Sequence, residues 1–401
     1  MDLSYIRPPV EKELLKQELS ERHFLRRTNY GNKEIYITTA HRSPNVMQEI
    51  GRLREISFAS EGGGTGQPVD IDEFDTLPDP YCFKQLIVWD PADEEIVGGY
   101  RFIHGTNMFR DASGEFLTPM AHLFHYSDEF IEKYLPYTIE MARAWVQPAY
   151  QPSHNLRKGM YSLDNLWDGL GAVGIEVPET HYFMGKVTAY PDMNPRIKAL
   201  LFYYLKKHFP DRDGLVIPRV PLKLDVDLNE LDKVLCGNNF KEDFQIIQRE
   251  ARAVNEIIPP LFNAYINLSP TMRVFGSAFN EEFGNTDETG IIVRIFDIFP
   301  EKKGRYFETY QEKNRDFDRG SLFKINLQRL PWWRNHRHDN PTERENMLQL
   351  KKLKQARVRS TTNFDSDDIE PRKAKRMKRK AKRRSIRKKI AARIKPNNQE
   401  N

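Results

Sequence analysis

The segment that decides the fold is Tyr137-Thr138-Ile139-Glu140-Met141-Ala142-Arg143-Ala144-Trp145-Val146, a largely apolar run that carries one acid and one arginine. Short apolar runs of this kind are typical of buried β-strands. Charged residues are seldom buried unless they are paired. A strand that buries Glu140 and Arg143 therefore predicts a polar pocket inside the fold, with a purely structural ion pair as the simpler alternative.

Further charged residues of the same kind precede this strand. Arg54 lies in a predicted helix, Asp72 and Asp75 follow a glycine-rich stretch, and Arg101 lies in a second apolar strand. Arginines can hold an anionic or carbonyl-bearing group through bidentate hydrogen bonds, and a carboxylate can take a proton from an amine. No Ser-His-Asp or Cys-His pattern stands out, so the set favours direct attack of an amine on an activated acyl group. A merely solvated acidic loop at 70–75 remains the alternative for the two aspartates.

The order of these pieces resembles a known enzyme group. Arg-x-x-x-Phe at 54–58, Asp-x-x-Asp at 72–75, an arginine after Gly-Gly-Tyr and Glu-x-x-Arg at 140–143 resemble the acyl-homoserine-lactone synthases. Those enzymes have the GNAT N-acyltransferase fold. The similarity is greater to the ornithine-lipid and glycine-lipid N-acyltransferases, often labelled hemolysin-like, because 137–148, 259–268 and 283–287 resemble motifs of that branch. The resemblance covers about Asn45–Phe299.

The resemblance implies a mixed α/β (α+β) GNAT-like fold, with a central mixed sheet flanked by helices and a helical or disordered basic C-terminal extension. It implies that Glu140 is the general base and that Asp72 and Asp75 orient the acceptor. The remaining substrate-binding residues that it implies are Arg54, Phe58, Arg101 and Arg143. The predicted reaction moves a fatty or 3-hydroxy-fatty acyl chain from acyl carrier protein to the amine of a small amino acid, of the ornithine or glycine class, and yields a lyso-aminolipid.

The donor is expected to be a carrier protein. The usual GNAT pyrophosphate loop is absent after Val146, where only Arg157-Lys158-Gly159 precedes the next helix. This favours acyl carrier protein over coenzyme A, although a helix N-terminus there could still accept a phosphate. We therefore expect no bound cofactor. The two cysteines, Cys82 and Cys236, have no metal-site spacing, so we expect no metal either.

We predict four regions: an N-terminal helix and strand at 1–42, the N-acyltransferase domain at 43–305, a polar connector with a short helix at 306–370, and a disordered polybasic tail at 371–401. The charge is unevenly divided. Between Arg372 and Lys395 lie 15 of the 62 basic residues and no acid, and Glu400 is the one acid beyond residue 370. The tail thus carries +14 and the remainder −9.

The tail has three candidate partners, which we rank as an anionic membrane surface, then the carrier protein, then nucleic acid. Nucleic acid ranks last because no aromatic residue is interleaved with the cations. The Trp332-Trp333 pair, flanked by arginines, suits an interfacial anchor or equally a core position. The candidate membrane or carrier contacts are Trp332, Trp333, Lys375, Arg376, Lys380, Arg383 and Arg384.

The expected location is cytoplasmic and peripheral at the inner face of the cytoplasmic membrane, since the N-terminus resembles no signal peptide and no apolar run approaches the ~18 residues that span a bilayer. Two alternatives remain from the sequence. One is a synthase of a diffusible acyl-amino acid signal, and the other is a non-catalytic nucleic-acid-binding adapter that uses the basic tail.

Overall fold

An eight-stranded sheet organises the part of the protein that this computed structural model describes, residues 3–177, 179–223 and 226–310. Its strand order is β1-β2-β3-β4-β6-β7-β10-β9, and β5 pairs with β8 in a separate two-stranded ribbon. Neighbouring strands of the large sheet are antiparallel except β6 and β7, which are parallel. The strands are β1 Phe24–Arg27, β2 Glu34–Thr38, β3 Lys84–Asp90, β4 Glu95–His104, β5 Phe124–Tyr126, β6 Thr138–Val146, β7 Tyr182–Ala189, β8 Val216–Pro218, β9 Arg273–Asn280 and β10 Thr286–Arg294.

Helices cover both faces of this sheet, which confirms the mixed α/β class. They are α1 Lys12–Glu18, α2 Pro44–Ala59, α3 Glu73–Thr76, α4 Pro119–Leu123, α5 Asp128–Lys133, α6 Leu156–Gly159, α7 Ser162–Glu176, α8 Pro195–His208, α9 Leu228–Val234, α10 Phe240–Ala253, α11 Pro260–Ile266 and α12 Pro300–Lys303. None of the helices in the described ranges combines the length and the apolar composition that crossing a bilayer requires.

Two apolar clusters lie on one face of the sheet. Helix α2 starts with Pro44 in its first turn, as the sequence predicts, and buries Ile50 and Leu53 against Ile87 of β3. Helix α4 and the segment after it bury Met120 and Phe124 in a second cluster that includes strands of the other half of the sheet. Helix α7 packs on the opposite face, against β1, β3 and β4.

Polar residues cross the same face between these clusters. Gln85 of β3 is opposite Arg101 of β4, which is opposite Ala142 of β6, two residues from Glu140. Glu140 is opposite Met184 of β7, two residues from Lys186, and Lys186 is opposite Gly290 of β10, two residues from Glu288. Side chains two apart along a strand share a face. Five strands therefore contribute one continuous row of polar side chains: Gln85, Arg101, Glu140, Lys186 and Glu288.

The described structure continues on both sides of the predicted main domain at 43–305. The helical spacing of apolar residues at 10, 14, 15, 19 and 24 predicts one helix over 10–26, and this prediction is wrong: α1 ends at Glu18, and β1 begins at Phe24 because Leu25 is buried in the sheet next to β2. The strands β1 and β2 belong to the same sheet as the strands after residue 43. At the other end, Tyr306 is buried against α7, so packing continues past residue 305. The connector beyond 310, the polybasic tail, the two tryptophans and the tail cations named above lie outside the described residues.

Candidate active site

Two buried arginines share one buried carboxylate beside β4. Arg54 Nη1 lies 3.0 Å from Asp75 Oδ2, and Arg101 Nη1 lies 3.0 Å from the same oxygen. The second oxygen of Asp75 accepts a hydrogen bond of 2.8 Å from Gln85 Nε2, and Gln85 Oε1 accepts one from Arg54. Arg101 Nη1 also donates to Asp72 Oδ1 at 2.5 Å. Burial opposes ionisation of Asp72, but Arg101 beside it lowers the pKa of that carboxyl well below its usual range.

The third arginine extends this cluster toward solvent. Arg143 Nη2 donates to Asp70 Oδ1 at 3.0 Å and lies 3.7 Å from Asp72. Its guanidinium lies over the rings of Phe283 and Phe58, at 4.4 and 5.9 Å. The side chains of Asp72 and Arg143 are 22% and 17% exposed, whereas Arg54, Arg101, Asp70 and Asp75 are buried.

The structure thus brings the predicted substrate-binding residues together, and it pairs them with one another. Three arginines, at 54, 101 and 143, face three aspartates, at 70, 72 and 75, so their formal charges balance. A substrate group would have to displace one of these partners or bind at the exposed end of the cluster. Sequence reasoning missed Asp70 and Gln85 as members of the cluster. The sequence did point to Asp70, because Asp70 belongs to the same acidic stretch as Asp72.

Glu140 lies apart from these ion pairs, under the first turn of α4. Its Oε1 accepts a hydrogen bond of 2.9 Å from the main-chain N–H of Met120. Its Oε2 has no partner of hydrogen-bonding geometry within the described residues. Burial raises the pKa of Glu140 from the usual 4.5 to about 7, and the nearby Thr118 hydroxyl and the Met120 N–H oppose that rise. A carboxylate of this pKa suits general-base chemistry near neutral pH.

The parallel strands β6 and β7 separate just after Glu140. Their register extends only from Thr138 with Tyr182 to Met141 with Gly185, although β6 continues to Val146 and β7 to Ala189. A side chain at Gly185 would place its Cβ 2.6 Å from the Met141 carbonyl oxygen, so glycine allows the last close approach. Beyond it, the facing main-chain groups of the two strands no longer pair with each other.

A bulge in β6 accompanies the separation. Arg101 of β4 is opposite Ala142 while Gly99 is opposite Trp145, so the pairing of β6 with β4 shifts across residues 143 and 144. Arg143 has a φ of +48°, a left-handed conformation that is uncommon outside glycine. Bulges re-aim side chains, and this one lies where Arg143 meets Asp70. The opening beside Glu140 is the place where a thioester carbonyl could reach strand amides between β6 and β7, which no longer pair with each other there.

Two charged residues of the row were not singled out from the sequence. Lys186 Nζ donates to the Pro119 carbonyl at 3.0 Å and lies 4.0 Å from Glu288 Oε1. Burial lowers the pKa of Lys186, although Glu288 opposes that effect. Lys186 interrupts a largely apolar strand, which is the same signal that identified Glu140 and Arg143, whereas Glu288 lies in the polar first half of β10.

The glycine-rich stretch at 61–66 lies next to Phe283, the ring that stacks on Arg143. Buried Glu55 accepts hydrogen bonds from the main-chain N–H groups of Thr65 and Gly66, at 2.9 and 2.8 Å, and from the Thr65 hydroxyl. A Cβ at Gly63 would lie 3.0 Å from the Tyr190 ring, and one at Gly284 would lie 2.7 Å from Gly63. The loop amides of 65 and 66 are therefore bound to an internal carboxylate, which excludes them as a phosphate cradle.

In the segment after β6, two polar side chains are engaged within the protein. Gln151 Nε2 donates to the Val146 carbonyl, and Lys158 pairs with Asp93 at 2.6 Å. Gly159 allows a close approach of the chain to itself, because a Cβ there would lie 2.4 Å from Pro152 N. No three or more His, Cys, Asp or Glu side chains are grouped to hold a metal ion in the described ranges.

Comparison with known proteins agrees with this architecture. A family model described as an acetyltransferase (GNAT) domain matches residues 53–158. A protein of Bacteroides thetaiotaomicron named glycine N(alpha)-acyltransferase is 51% identical over 308 residues, which cover 77% of this chain and 91% of the relative. A protein of the same name from Phocaeicola vulgatus is 46% identical over 306 residues, which cover 76% of this chain and 93% of the relative.

One solved structure, that of FeeM, an N-acyl amino acid synthase from uncultured soil microbes, matches 70% of this chain and 98% of its own. Its identity of 12% and TM-score of 0.31 are too low to carry an argument here. The two relatives are close enough to do so, and they confirm the resemblance drawn from the ordered motifs at 54–58, 72–75 and 140–143. The chain belongs to the family of GNAT-domain N-acyltransferases that includes these two glycine N(alpha)-acyltransferases.

Proposed function

We propose that this protein transfers a fatty or 3-hydroxy-fatty acyl chain from acyl carrier protein to the amine of glycine and so makes an N-acylglycine, a lyso-aminolipid. Formation of an N-acyl amino acid is supported by membership of the family. Glycine is preferred over ornithine because both relatives are named for glycine. The carrier-protein donor and the lipid character of the product are the finer parts of the proposal.

The observation that carries the proposal is the buried carboxyl of Glu140, with its pKa of about 7, next to the opening between β6 and β7. The acceptor amine attacks the thioester carbonyl carbon, and a C–N bond forms while the carbonyl oxygen becomes an oxyanion. Main-chain N–H groups of β6 beyond Met141 stabilise that oxyanion. Before the attack Glu140 takes one proton from the acceptor ammonium group and later releases it to solvent; after the attack the C–S bond breaks, and the second proton lost by the nitrogen passes to the thiolate that leaves.

The preference for a carrier protein is supported by the segment after β6. Coenzyme A in GNAT enzymes relies on main-chain amides of a glycine-rich turn, and here the side chains of Gln151 and Lys158 are engaged within the protein. A carrier protein presents its thioester on a long arm and has an acidic surface of its own. We infer that recognition of the donor depends on protein–protein contacts more than on a phosphate site.

The polybasic tail is proposed to hold the enzyme at an anionic membrane surface, where its product would accumulate. Each basic residue near such a surface contributes about 1 kcal/mol, so half of the 15 cations would suffice for stable binding. Docking of the acidic carrier protein ranks second. Binding of nucleic acid ranks third, and with it the possibility that the GNAT domain acts only as an adapter.

The test is acyl transfer by the purified protein. The same acyl chain is offered on acyl carrier protein and on coenzyme A, with glycine, ornithine and other small amino acids as acceptors, and products are identified by mass spectrometry. We expect N-acylglycine from the carrier-bound donor. Absence of an acyl-amino acid with every acceptor would contradict the proposal, and a short-chain product released into the medium of expressing cells would point instead to a diffusible signal.

A further inference from the structure

We propose that Lys186 and Glu288 form the subsite for the zwitterionic acceptor, in which Lys186 binds the carboxylate of the amino acid and Glu288 binds its ammonium group, on the same sheet face as Glu140. The proposal rests on the proposed function, because it concerns the amino-acid acceptor of that reaction. It differs from the expectation that Asp72, Asp75 and the arginines bind the acceptor.

The first step of the argument is the balance of charge. Each of the three arginines in the cluster already contacts a carboxylate at 2.5–3.0 Å, through Asp70, Asp72 or Asp75. Binding an acceptor carboxylate there would place a fourth negative group against three paired cations. Lys186 differs, because its nearest carboxylate oxygen, on Glu288, is 4.0 Å away. This gap is longer than a charge-assisted hydrogen bond.

The second step is the unused hydrogen-bonding capacity of the pair. An ammonium group has three N–H donors, and in the described structure Lys186 uses one of them in a hydrogen bond to the Pro119 carbonyl. Among the described residues, the hydrogen bonds that Glu288 accepts are long, 3.4 Å from Thr188 Oγ1 and 3.4 Å from Asn280 Nδ2. Burial makes unsatisfied charge costly. A zwitterion satisfies both members at once, since it brings one carboxylate and one ammonium group.

The third step is the position of the pair relative to the base. The Pro119–Met120 peptide bond connects them: its C=O accepts from Lys186 and its N–H donates to Glu140. Lys186 and Glu288 also lie on the same sheet face as Glu140, on the two strands beyond the β6–β7 opening. The acceptor subsite and the base therefore lie on one sheet face, with Lys186 between Glu288 and Glu140 in the row.

The fourth step is access. The side chains of Lys186 and Glu288 are 12% and 5% exposed, so the subsite is nearly closed yet reaches solvent. A small amino acid fits such a site better than a large one. Gly290, opposite Lys186, allows Met120 to pack closely on the sheet, because a Cβ at that position would lie 2.6 Å from the Met120 side chain, and this packing limits the size of the subsite.

The kinetic test compares glycine with glycinamide, which keeps the amine and lacks the carboxylate. Lys186→Met should lower kcat/KM for glycine about 10- to 100-fold and leave that for glycinamide nearly unchanged, because only glycine loses a charge-assisted partner. Glu288→Gln should raise KM for both acceptors, since both carry the ammonium group. KM for the acyl donor should stay as in the wild type.

The matched control is the neighbouring pair on the other sheet face. Lys198 Nζ lies 2.7 Å from Asp287, next to Glu288 on β10, and its side chain is 20% exposed. Lys198→Met removes the same charge at similar burial and should leave the ratio of glycine to glycinamide unaltered. The proposal is overturned if Lys186→Met lowers kcat/KM for both acceptors by one factor, because Lys186 would then act only through the Pro119–Met120 peptide on Glu140.

Binding separates this proposal from the proposed function. Glycine labelled with ¹³C at its carboxylate is titrated by NMR into full-length wild-type protein, Lys186→Met and Lys198→Met without acyl donor. We expect binding to the wild type and Lys198→Met and at least tenfold weaker binding to Lys186→Met. This binding pattern in the absence of any acyl transfer would support the subsite and contradict the proposed reaction. Acyl transfer together with equal glycine binding to all three proteins would support the proposed reaction and contradict the subsite.

Discussion

Among single residues, Glu140 has the environment most directly tied to reactivity. Burial raises its pKa to about 7, so its carboxylate form, which accepts the proton, accumulates as pH rises through 7. We expect kcat/KM of the wild type to fall with decreasing pH below about 7. Glu140→Gln should lose 10²- to 10⁴-fold in rate and lose this pH dependence, measured as a pH–rate profile with saturating acyl donor. If Glu140→Gln keeps the same fall in rate below pH 7, that pH dependence belongs to another titrating group.

The same burial has a consequence for stability. The folded protein holds a proton on Glu140 up to a pH of about 7, whereas the unfolded chain releases it near 4.5. Because the folded state binds more protons in this window, Glu140 lowers the free energy of unfolding as pH rises from 4.5 to 7, by up to about 3 kcal/mol. We expect Glu140→Gln to be more stable than the wild type in urea unfolding at pH 8 and similar to it at pH 4.5. Equal stability differences at both pH values would contradict this.

Substitution of Asp75 should reduce the free energy of unfolding more than substitution of Asp72, although the two residues are only three apart. Asp75 is fully buried and serves both Arg54 and Arg101, so Asp75→Asn leaves two buried guanidinium groups with one carboxylate fewer. We expect a loss of about 3–5 kcal/mol in unfolding free energy. Asp72→Asn is the matched control, because Asp72 is partly exposed and should cost less. If Asp75→Asn folds as stably as the wild type and loses only activity, the acceptor-binding role expected from the sequence would be favoured.

Among the elements, the glycine-rich loop depends on a helix residue. Glu55 of α2 accepts hydrogen bonds from Thr65 and Gly66 of the loop, and also from the hydroxyl of Tyr5, which lies outside the loop. Glu55→Gln keeps the size but replaces an acceptor oxygen with a donor, so at least one of these bonds is lost. We expect faster amide hydrogen exchange at 61–66 and a higher KM for the acceptor, with the exchange of β6 unchanged. Unaltered exchange in the loop would show that the Gly63–Gly284 contact suffices to hold it.

The elements also show where sequence reasoning succeeds. The strands around Arg101 and Glu140 and the helix after Ser43 are confirmed, because apolar periodicity and a proline in the first turn are local signals. The bulge at Arg143 and the end of the β6–β7 register are set by pairing with strands distant in sequence, and no local pattern contains them. The pairing of Arg143 with Asp70, 73 residues away, is of the same kind.

For the whole molecule, the composition of the polar row explains what the sequence could and could not predict. Residue type singled out Arg101 and Glu140, since charge on an apolar strand is rare. It could equally have singled out Lys186 but not Glu288, which has polar neighbours, and only the register of β7 and β10 places those two on the same sheet face as Glu140. The residues of the candidate site were thus partly predictable, whereas their partners required the sheet order.

The last prediction concerns the whole chain and its charge. A protein truncated after Glu370 loses +14 and keeps all described residues, so it should retain acyl transfer to glycine with water-soluble substrates. Full-length protein should sediment with vesicles that contain anionic lipid, and truncation should reduce this binding at least tenfold, because each lost cation contributes about 1 kcal/mol near the surface. Raising salt should weaken binding of the full-length protein alone.

Neutral vesicles are the control for lipid charge. Retention of vesicle binding by the truncated protein would assign the membrane contact to another region, and tighter, salt-sensitive binding of the full-length protein to nucleic acid than to vesicles would reverse the ranking of partners.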